Sequence, residues 1–343
     1  MEKICILGAG SWGTAQALLL SSNCKQLSLW SRPEAGLESF IAARENKKYL
    51  PGAIIPDNVS ITLELKAAVE NSGMVVLAVP SQGVRETLCK LKPLLHKEMY
   101  LVNTAKGLEL NTGMRMSQVA EDVLGSSIKN RYAVLSGPSH AEEVAVELPT
   151  AVTVAAYKKE TAFDIQDTYI SSHFRVYTNP DVAGVELGGA LKNIVAIAAG
   201  IAQGLGYGDN TKAAIITRGL NEMIRMAGKM GTDPRTLYGL SGLGDLVVTC
   251  GSRHSRNHQA GFLIGQGQTP QAALEKTGMV VEGFHTTKVV YELARAMNIE
   301  MPIVKACYYI LYEDRPPAEE VELLMTRRKK HEIEEAVEDS LNW

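Results

Sequence analysis

A glycine-rich turn near the N-terminus constrains the fold of this chain more than any other stretch. Residues 3–7 form a short apolar run that favours a strand, the spacing Gly-x-Gly-x-x-Gly follows at once, and an alanine- and leucine-rich helical pattern comes next. In such a turn Gly8 permits the tight bend, Gly10 lets a pyrophosphate approach the backbone, and Gly13 lets the helix lie close to the strand. The turn is either a dinucleotide site or a glycine-rich turn without a ligand. The strand and helix on either side favour a dinucleotide site, since a helix N-terminus attracts anions.

The first half of the chain alternates strand and helix patterns. Apolar runs predict further strands at residues 26–30, 74–79, 99–103, 132–135, 150–155 and 174–177, with helices near 84–91 and 114–124. The polar segment 34–61 is interpreted as helix and loop. This alternation predicts an α/β fold with a Rossmann-type, doubly wound, mostly parallel sheet over residues 1–180. Ligands bind outside the carboxyl ends of such strands, where the loops 80–81, 105–107 and 136–139 are expected to meet.

Strand signals nearly vanish after residue 181. Helices are predicted at 185–205, 211–230, 257–265, 269–276, 283–297, 302–313 and 317–325, so residues 181–343 form a second, all-α domain. A chain of 343 residues is long enough for two cores. The basic run 327–330 and the glutamates after it predict a solvated helical end.

Composition and charge indicate the cellular location of the protein and limit the classes of partner that it is expected to bind. The net charge of −3 gives no general reason to expect nucleic acid or a membrane surface as a partner. The five cysteines are scattered, with no Cys-x-x-Cys pair, which indicates a reducing compartment and no zinc site. The N-terminus resembles a strand rather than a signal sequence, and the most apolar helical stretch, 194–202, is too short to span a bilayer. We therefore expect a cytoplasmic protein without membrane insertion.

Two lysines stand out by their positions. Lys106 ends a predicted sheet strand, and Lys192 lies in an apolar helix, where a lysine is unfavourable unless a partner compensates it. Asp245, in the segment Leu-Ser-Gly-Leu-Gly-Asp-Leu, could pair with a lysine in a shared pocket. The alternative for Lys192 is a structural lysine whose amine reaches solvent.

Two arginines, Arg32 and Arg256, have two interpretations each. The second strand ends at Arg32 without the acidic residue that holds a ribose 2′-hydroxyl, so Arg32 either accepts a 2′-phosphate or is an exposed loop residue. Ser255, Arg256 and Asn257 precede a predicted helix, with Ser255 or Asn257 as its N-cap. They form either a small phosphate site or a basic solvent loop.

Together these motifs resemble the bacterial type of NAD(P)-dependent glycerol-3-phosphate dehydrogenase. The resemblance covers nearly the whole chain in order, through the segments 8–13, 103–107, 136–141, 186–193, 240–245, 255–257 and 280–283. It implies reversible reduction of dihydroxyacetone phosphate to sn-glycerol 3-phosphate with NAD(P)H, supplying glycerophospholipid synthesis, and it suggests a homodimer.

The resemblance also implies a role for individual residues. Lys192 would be the proton acceptor in the oxidation of glycerol 3-phosphate, with Lys106 and Asp245 beside it in the catalytic group. Cofactor contacts would come from Gly8, Gly10, Ser11, Trp12, Gly13, Arg32, Lys106, Ala141, Arg256, Val280 and Glu282. Substrate contacts would come from Lys106, Gly137, Ser139, Lys192, Asp245, Ser255, Arg256 and Asn257. Where the family commonly has a second basic residue, this chain has Pro33, which leaves the choice between NADPH and NADH open.

The chemistry agrees with this interpretation. Hydride addition to a ketone builds an alkoxide, which needs a cation and a proton donor. Lys192 can be both if burial and the charge of Lys106 lower its pKa. Neither a metal nor a histidine is required, so His140 is interpreted as a loop residue. Two rivals are a β-hydroxy-acid dehydrogenase of similar architecture, which would not need the cradle 255–257, and a non-catalytic NAD(P)-binding sensor, which would not need Lys192.

Overall fold

The N-terminal half is built on a single sheet. The computed structural model of the protein describes residues 1–33, 37–329 and 332. The strands are β1 (Lys3–Leu7), β2 (Gln26–Trp30), β3 (Val59–Thr62), β4 (Met74–Leu77), β5 (Tyr100–Asn103), β6 (Tyr132–Ser136), β7 (Thr150–Ala156) and β8 (Phe174–Asn179).

The strand order identifies the fold class. The order is β3-β2-β1-β4-β5-β6-β7-β8, with the first six strands parallel, β7 antiparallel to β6, and β8 parallel to β7. Its first six strands have the order of the Rossmann fold. The predicted doubly wound, mostly parallel sheet is confirmed.

One part of the sheet prediction is wrong. The segment 34–61, interpreted as helix and loop, includes three of the four residues of strand β3, which pairs with β2 from Leu27 opposite Val59 to Trp30 opposite Thr62. A four-residue edge strand with only two apolar side chains leaves a weak pattern, and Pro56 just before it resembles loop chemistry. Tertiary pairing with β2 therefore decides the conformation here.

Helices cover both faces of the sheet, as the alternation of side chains requires. They are α1 (Ser11–Ser21), α2 (Leu37–Ala43), α3 (Leu65–Val69), α4 (Val84–Leu91), α5 (Met116–Leu124), α6 (Ala141–Ala145) and α7 (Lys159–Tyr169). Ile4 and Ile6 of β1 belong to the apolar core on one face, and Cys5 and Leu7 belong to the core on the other. The sequence patterns do not predict α3, α6 and α7. Two of these have five residues each, too few to show a helical period.

The second half is helical, as predicted. Its helices are α8 (Val182–Gly204), α9 (Asp209–Lys229), α10 (Asp245–Gly251), α11 (Arg256–Gly265), α12 (Pro270–Thr277), α13 (Glu282–Ala296), α14 (Pro302–Tyr312) and α15 (Pro317–Met325). Helix α10, which was not predicted, follows directly on a π-helical turn at Leu240–Gly244. The two glycines of that turn hide the helical pattern. The predicted helical end at 327–330 and beyond lies outside the described residues except for 327–329 and 332.

Helix α8 is the centre of this half. It has 23 residues and is therefore long enough to cross a bilayer. The prediction from residues 194–202 that the apolar stretch is too short is wrong. The helix is long and apolar enough to cross a membrane, yet 94% of its apolar window is buried inside the protein. Its small residues permit close packing: a Cβ at Gly200 would lie 2.1 Å from the carbonyl oxygen of His258 on α11. Neighbouring helices thus surround α8 on nearly all sides.

Candidate active site

A cleft of about 830 Å³ lies between the carboxyl ends of the sheet strands and the helical half. Most of the predicted site residues line it: Gly8, Gly10, Ser11, Trp12, Arg32, Lys106, Ser139, Ala141, Lys192, Ser255, Arg256, Asn257, Val280 and Glu282. Gly13, Gly137 and Asp245 do not line the cleft. The fold therefore gathers residues from distant parts of the sequence around one space.

The glycine-rich turn leaves room for a ligand at the start of α1. Gly8 has a φ of +116°, which favours glycine, and a Cβ at Gly13 would lie 1.8 Å from the carbonyl oxygen of Gly8. A Cβ at Gly10, in contrast, would meet no described atom within 4 Å. Within the described residues α1 has no side-chain N-cap, and the Ser11 hydroxyl donates to the carbonyl oxygen of Tyr49 at 2.7 Å. Backbone N–H groups at this end are thus available to an anion.

A carboxylate bridges two lysines at the opposite wall. Asp245 accepts a hydrogen bond from Lys192 Nζ at 2.7 Å and another from Lys106 Nζ at 2.6 Å. Lys106 comes from the loop after β5, Lys192 from α8 and Asp245 from the start of α10, so three elements converge. The Asp245 side chain is only 2% exposed, and the Lys192 side chain 8%. The buried ammonium group of Lys192 and the partly exposed one of Lys106 are compatible here because the carboxylate lies between them.

Burial and charge shift the pKa values of this group. Burial lowers the pKa of Lys192 to about 8; the charge of Lys106 acts in the same direction, and Asp245 opposes it. Burial alone would raise the pKa of Asp245, but the two neighbouring ammonium groups outweigh it and hold that pKa below its usual value. The carboxylate stays ionised while the lysine titrates near neutral pH.

Thr249, which was not among the predicted site residues, completes this group. It lies four residues after Asp245 on α10, so both side chains lie on one face of that helix. Lys192 Nζ donates to the Thr249 hydroxyl at 2.7 Å. An ammonium group has three N–H bonds; two are used by the aspartate and the threonine, and Lys192 also lines the cleft. Recognition of α10 as a helix would have identified this spacing.

Two asparagine side chains form hydrogen bonds that connect the helices around the cleft. Asn257 of α11 donates to the side-chain oxygen of Asn193 at 2.9 Å and accepts from the backbone N–H of Gly283 at 2.8 Å. Asn193 in turn donates to the carbonyl oxygen of Lys106 at 3.4 Å. The Asn257 side chain therefore joins α8, α11 and α13, with one of its two N–H bonds left over.

Helix α11 begins at the cleft wall. Ser255 is its N-cap, because its hydroxyl accepts from the backbone N–H of His258 at 3.2 Å. Arg256, the first helical residue, donates to the carbonyl oxygen of Val280 at 3.3 Å and lines the cleft. A cation, a hydroxyl and a helix N-terminus thus occur together, as the motif predicts. Arg32 lines the cleft as an exposed side chain after β2.

A second carboxylate joins the two halves. Glu282, at the start of α13, accepts from the backbone N–H of Ser81 at 2.8 Å and from the hydroxyl of the same serine. Ser81 follows β4, so the contact links the sheet to the helical half. Burial raises the pKa of Glu282, with the serine bonds opposing that shift.

A buried anchor fixes α8 against the sheet. Glu186, six residues before Lys192 on this helix, accepts from the backbone N–H of Ser117 at 2.7 Å, from Arg115 at 2.9 Å and from the Tyr132 hydroxyl at 2.7 Å. These contacts come from the start of α5 and from β6. They hold the lysine-bearing helix in one orientation relative to the strand ends.

His140 is a loop residue, as interpreted from the sequence, and its side chain also lines the cleft. It directly precedes α6 and lines the cleft, 5.8 Å between ring centroids from His254. Its Nε2 is buried and has no hydrogen-bond partner among the described residues. Burial lowers the pKa of this imidazole, and the charge of Lys192 acts in the same direction. It is therefore a neutral ring in the wall near the lysine pair.

Comparison with known proteins identifies relatives along the whole chain. The models for the N-terminus and the C-terminus of NAD-dependent glycerol-3-phosphate dehydrogenase match residues 3–162 and 181–322. A glycerol-3-phosphate dehydrogenase [NAD(P)+] from Syntrophomonas wolfei is 61% identical over 343 residues, which is 100% of both chains. One from a Thermoanaerobacter species is 51% identical, over 96% of this chain and 99% of its own. The crystal structure of glycerol-3-phosphate dehydrogenase from Coxiella burnetii has a TM-score of 0.91 and 39% identity, over 95% of this chain and 99% of that chain.

Proposed function

This chain belongs to the NAD-dependent glycerol-3-phosphate dehydrogenase family, and from that premise we propose how its residues divide the work of the reaction. The protein reduces dihydroxyacetone phosphate reversibly to sn-glycerol 3-phosphate with NAD(P)H, a reaction that supplies glycerophospholipid synthesis. The observation that carries the assignment is the Lys192 amine, which lines the same cleft as the glycine-rich turn and has a pKa of about 8.

The turn at the start of α1 fits a dinucleotide. The open space at Gly10 and the uncapped helix end support binding of a pyrophosphate there. Ser11, Trp12 and Arg32 border the same end of the cleft, and Ala141, Val280 and Glu282 border it elsewhere. The reduced nicotinamide supplies the hydride when it is bound. Arg32 would contact a 2′-phosphate, so NADPH is accepted, while Pro33 offers no second cation.

Lys192 moves the proton. In the direction of reduction, its ammonium form donates a hydrogen bond and then a proton to the carbonyl oxygen as that oxygen becomes an alkoxide. In the direction of oxidation, the neutral amine accepts the proton of the substrate hydroxyl. A pKa of about 8 keeps both forms populated near neutral pH.

Lys106 and Asp245 complete the catalytic group in different ways. Lys106 is partly exposed to the cleft and also donates to the carbonyl oxygen of Gly137 at 3.0 Å. It is therefore placed to contact substrate or cofactor and to lower the pKa of its neighbour. Asp245 does not line the cleft, so we assign it the orientation of both lysines. Ser139, whose hydroxyl donates to the same carbonyl oxygen at 2.9 Å, borders the substrate space.

The start of α11 would hold the substrate phosphate. Arg256 supplies a guanidinium that can bind a phosphate with paired hydrogen bonds. Ser255 and the remaining N–H of Asn257 add neutral donors at a helix N-terminus, whose dipole favours an anion. A substrate with a carboxylate alone would not use this cradle, which favours a phosphorylated ketone over a β-hydroxy acid.

The domain boundary, the oligomeric state and the cellular location of the protein are also proposals. We divide the chain at residue 180 into a dinucleotide-binding domain, 1–180, and a substrate domain, 181–343, because β8 ends at Asn179 and α8 begins at Val182. We further propose a cytoplasmic homodimer without membrane insertion. The burial of α8 inside the protein supports the last point.

A turnover assay tests the function directly. The purified protein is mixed with NADPH and dihydroxyacetone phosphate, and the loss of reduced-cofactor absorbance is followed, with ketopantoate as a non-phosphorylated control ketone. We expect turnover that requires the phosphorylated substrate. Turnover of ketopantoate alone would favour a hydroxy-acid dehydrogenase, and no turnover with any small ketone would favour a sensor.

A further inference from the structure

The side chain of Asn46, in the segment between α2 and β3, contacts the glycine-rich turn. It is 3% exposed and is not among the described residues that line the cleft. Its amide Nδ2 donates to the carbonyl oxygen of Ala9 at 2.8 Å and to the Thr14 hydroxyl at 2.8 Å. Its amide oxygen accepts from the backbone N–H of Tyr49 at 3.3 Å. Since a carbonyl oxygen can only accept and a backbone N–H can only donate, these partners fix the orientation of the amide.

The segment that carries Asn46 is itself folded as a tight turn. The backbone N–H of Leu50 donates to the carbonyl oxygen of Asn46 at 2.8 Å. A second contact with the glycine-rich turn lies close by, because the Ser11 hydroxyl donates to the carbonyl oxygen of Tyr49 at 2.7 Å. The Asn46 amide is therefore presented to the start of α1 by an ordered backbone.

The carbonyl group that Asn46 binds belongs to the same peptide unit as the N–H of Gly10. The described residues contain no cis peptide bond, and in a trans unit the carbonyl and the N–H point in opposite directions. The hydrogen bond from Asn46 to Ala9 therefore directs the Gly10 N–H away from Asn46. Gly10 lines the cleft, next to the space in which the pyrophosphate is proposed to bind.

The glycine at position 10 makes this peptide unit easy to rotate. Rotation changes ψ of Ala9 and φ of Gly10, and glycine accepts positive and negative φ about equally well. Gly10 has a φ of −76° here, and a Cβ at this position would meet no described atom within 4 Å. The space that admits a phosphate thus leaves the unit with little steric restraint. A rotated unit would present a carbonyl oxygen to the phosphate in place of an N–H.

We propose that Asn46 is a positioning residue for the dinucleotide, because it holds the Ala9 carbonyl oxygen and so keeps the Gly10 N–H available to the pyrophosphate. This role rests on the proposed dinucleotide site at the start of α1. The restraint comes from a residue 37 positions after Ala9, outside the Gly-x-Gly-x-x-Gly spacing. Its loss weakens cofactor binding without changing the groups that transfer the proton.

Asn46→Ala in the full chain removes the hydrogen bond to Ala9. We expect the Kd for NADPH, measured by cofactor fluorescence, to rise about 10- to 100-fold, since a hydrogen bond to a charged phosphate is lost. The kcat at saturating NADPH and the KM for dihydroxyacetone phosphate should stay within about threefold, because the lysine pair and the start of α11 are unchanged. Asn46→Leu, which has a similar branched shape, is the second variant and should have the same effect if the smaller side chain impairs folding.

Two controls separate this role from a general loss of stability. Thr14→Val removes the other acceptor of the Asn46 amide but leaves the bond to Ala9. It should lower the urea midpoint while the Kd for NADPH changes less than about twofold. Adenosine 2′-monophosphate has a 2′-phosphate but no pyrophosphate, so its inhibition constant against NADPH should change less than about twofold in Asn46→Ala.

Several results would overturn the proposal. An unchanged Kd for NADPH in folded Asn46→Ala and Asn46→Leu would show that the bond to Ala9 does not support binding. Equal weakening of NADPH and adenosine 2′-monophosphate, or an equal effect of Thr14→Val, would show that Asn46 only stabilises the region. A wild type that does not bind NADPH would contradict the dinucleotide site itself, and the role of Asn46 with it.

Discussion

Replacement of Lys192 by methionine removes the ammonium group while keeping most of the length and apolar volume of the side chain. The effect can be worked out from the environment of the amine. With a pKa of about 8, roughly one Lys192 in ten is neutral at pH 7; at the ordinary value of 10.5 roughly one in 3000 would be. Burial and Lys106 thus increase the neutral amine about 300-fold over an exposed lysine.

The loss expected from Lys192→Met combines two effects. A positioned general acid or base is worth about 10²–10⁴ in rate, and a preorganised donor to the developing oxyanion about 10²–10³. Since one group supplies both, we expect kcat to fall at least about 10³-fold in each direction, measured by nicotinamide absorbance. The Kd for NADPH, measured by cofactor fluorescence, should stay within about threefold, because the turn at α1 is untouched.

The pH dependence has a defined sign. Oxidation requires the neutral amine, so kcat/KM for glycerol 3-phosphate should rise with pH up to about 8 and then level off. Reduction requires the ammonium form, so kcat/KM for dihydroxyacetone phosphate should fall above the same pH. Lys192→Arg is the matched control: it keeps a positive charge but does not release a proton in this range, so the inflection near pH 8 should disappear.

Two outcomes would refute this reasoning. A Lys192→Met enzyme with kcat within tenfold of the wild type would show that another group transfers the proton. An inflection near pH 8 that persists in Lys192→Arg would assign the titration to a different residue.

Three further predictions concern the cleft. Gly10→Ala should raise the Kd for NADPH at least about tenfold with unchanged thermal stability, since a Cβ there meets no described atom. Gly13→Ala should instead lower the free energy of unfolding by about 1–3 kcal/mol in urea titrations, because its Cβ would overlap a carbonyl oxygen. Arg256→Ala should raise KM for dihydroxyacetone phosphate about 10- to 100-fold at similar kcat, whereas Arg253→Ala, an exposed neighbour, should not; an unchanged KM would misplace the phosphate site. Arg32→Ala should raise KM for NADPH more than KM for NADH in steady-state assays, and equal changes would remove the 2′-phosphate contact.

The sequence predicted the elements whose patterns are local. Met74–Leu77, with four apolar residues in a row, and α4, at Val84–Leu91, both occur where they are predicted. The same patterns predicted the sheet class, because alternating strands and helices leave few topologies. Strand β3 was not predicted because pairing with β2, rather than its own four residues, determines its conformation.

Most of the candidate site residues named from the sequence line one cleft, but their contacts were not predicted. An apolar helix with a lysine, and a strand ending in a lysine, indicate that Lys192 and Lys106 need a partner. That both share Asp245, and that Thr249 takes a second bond from Lys192, depends on the start of α10, which the glycine-rich turn before it conceals. The link between Glu282 and Ser81 joins residues 201 positions apart and has no local signal.

The bridge from Lys106 to Asp245 has a consequence for how such enzymes are inherited. Its cation is encoded in the first half of the gene and its anion in the second. A recombinant whose first half lacked Lys106 would leave Asp245 with Lys192 alone, and one whose second half lacked Asp245 would leave the Lys106 ammonium group without its carboxylate. Halves from parents that differ at either position are therefore expected to work poorly together, even where both parents fold well.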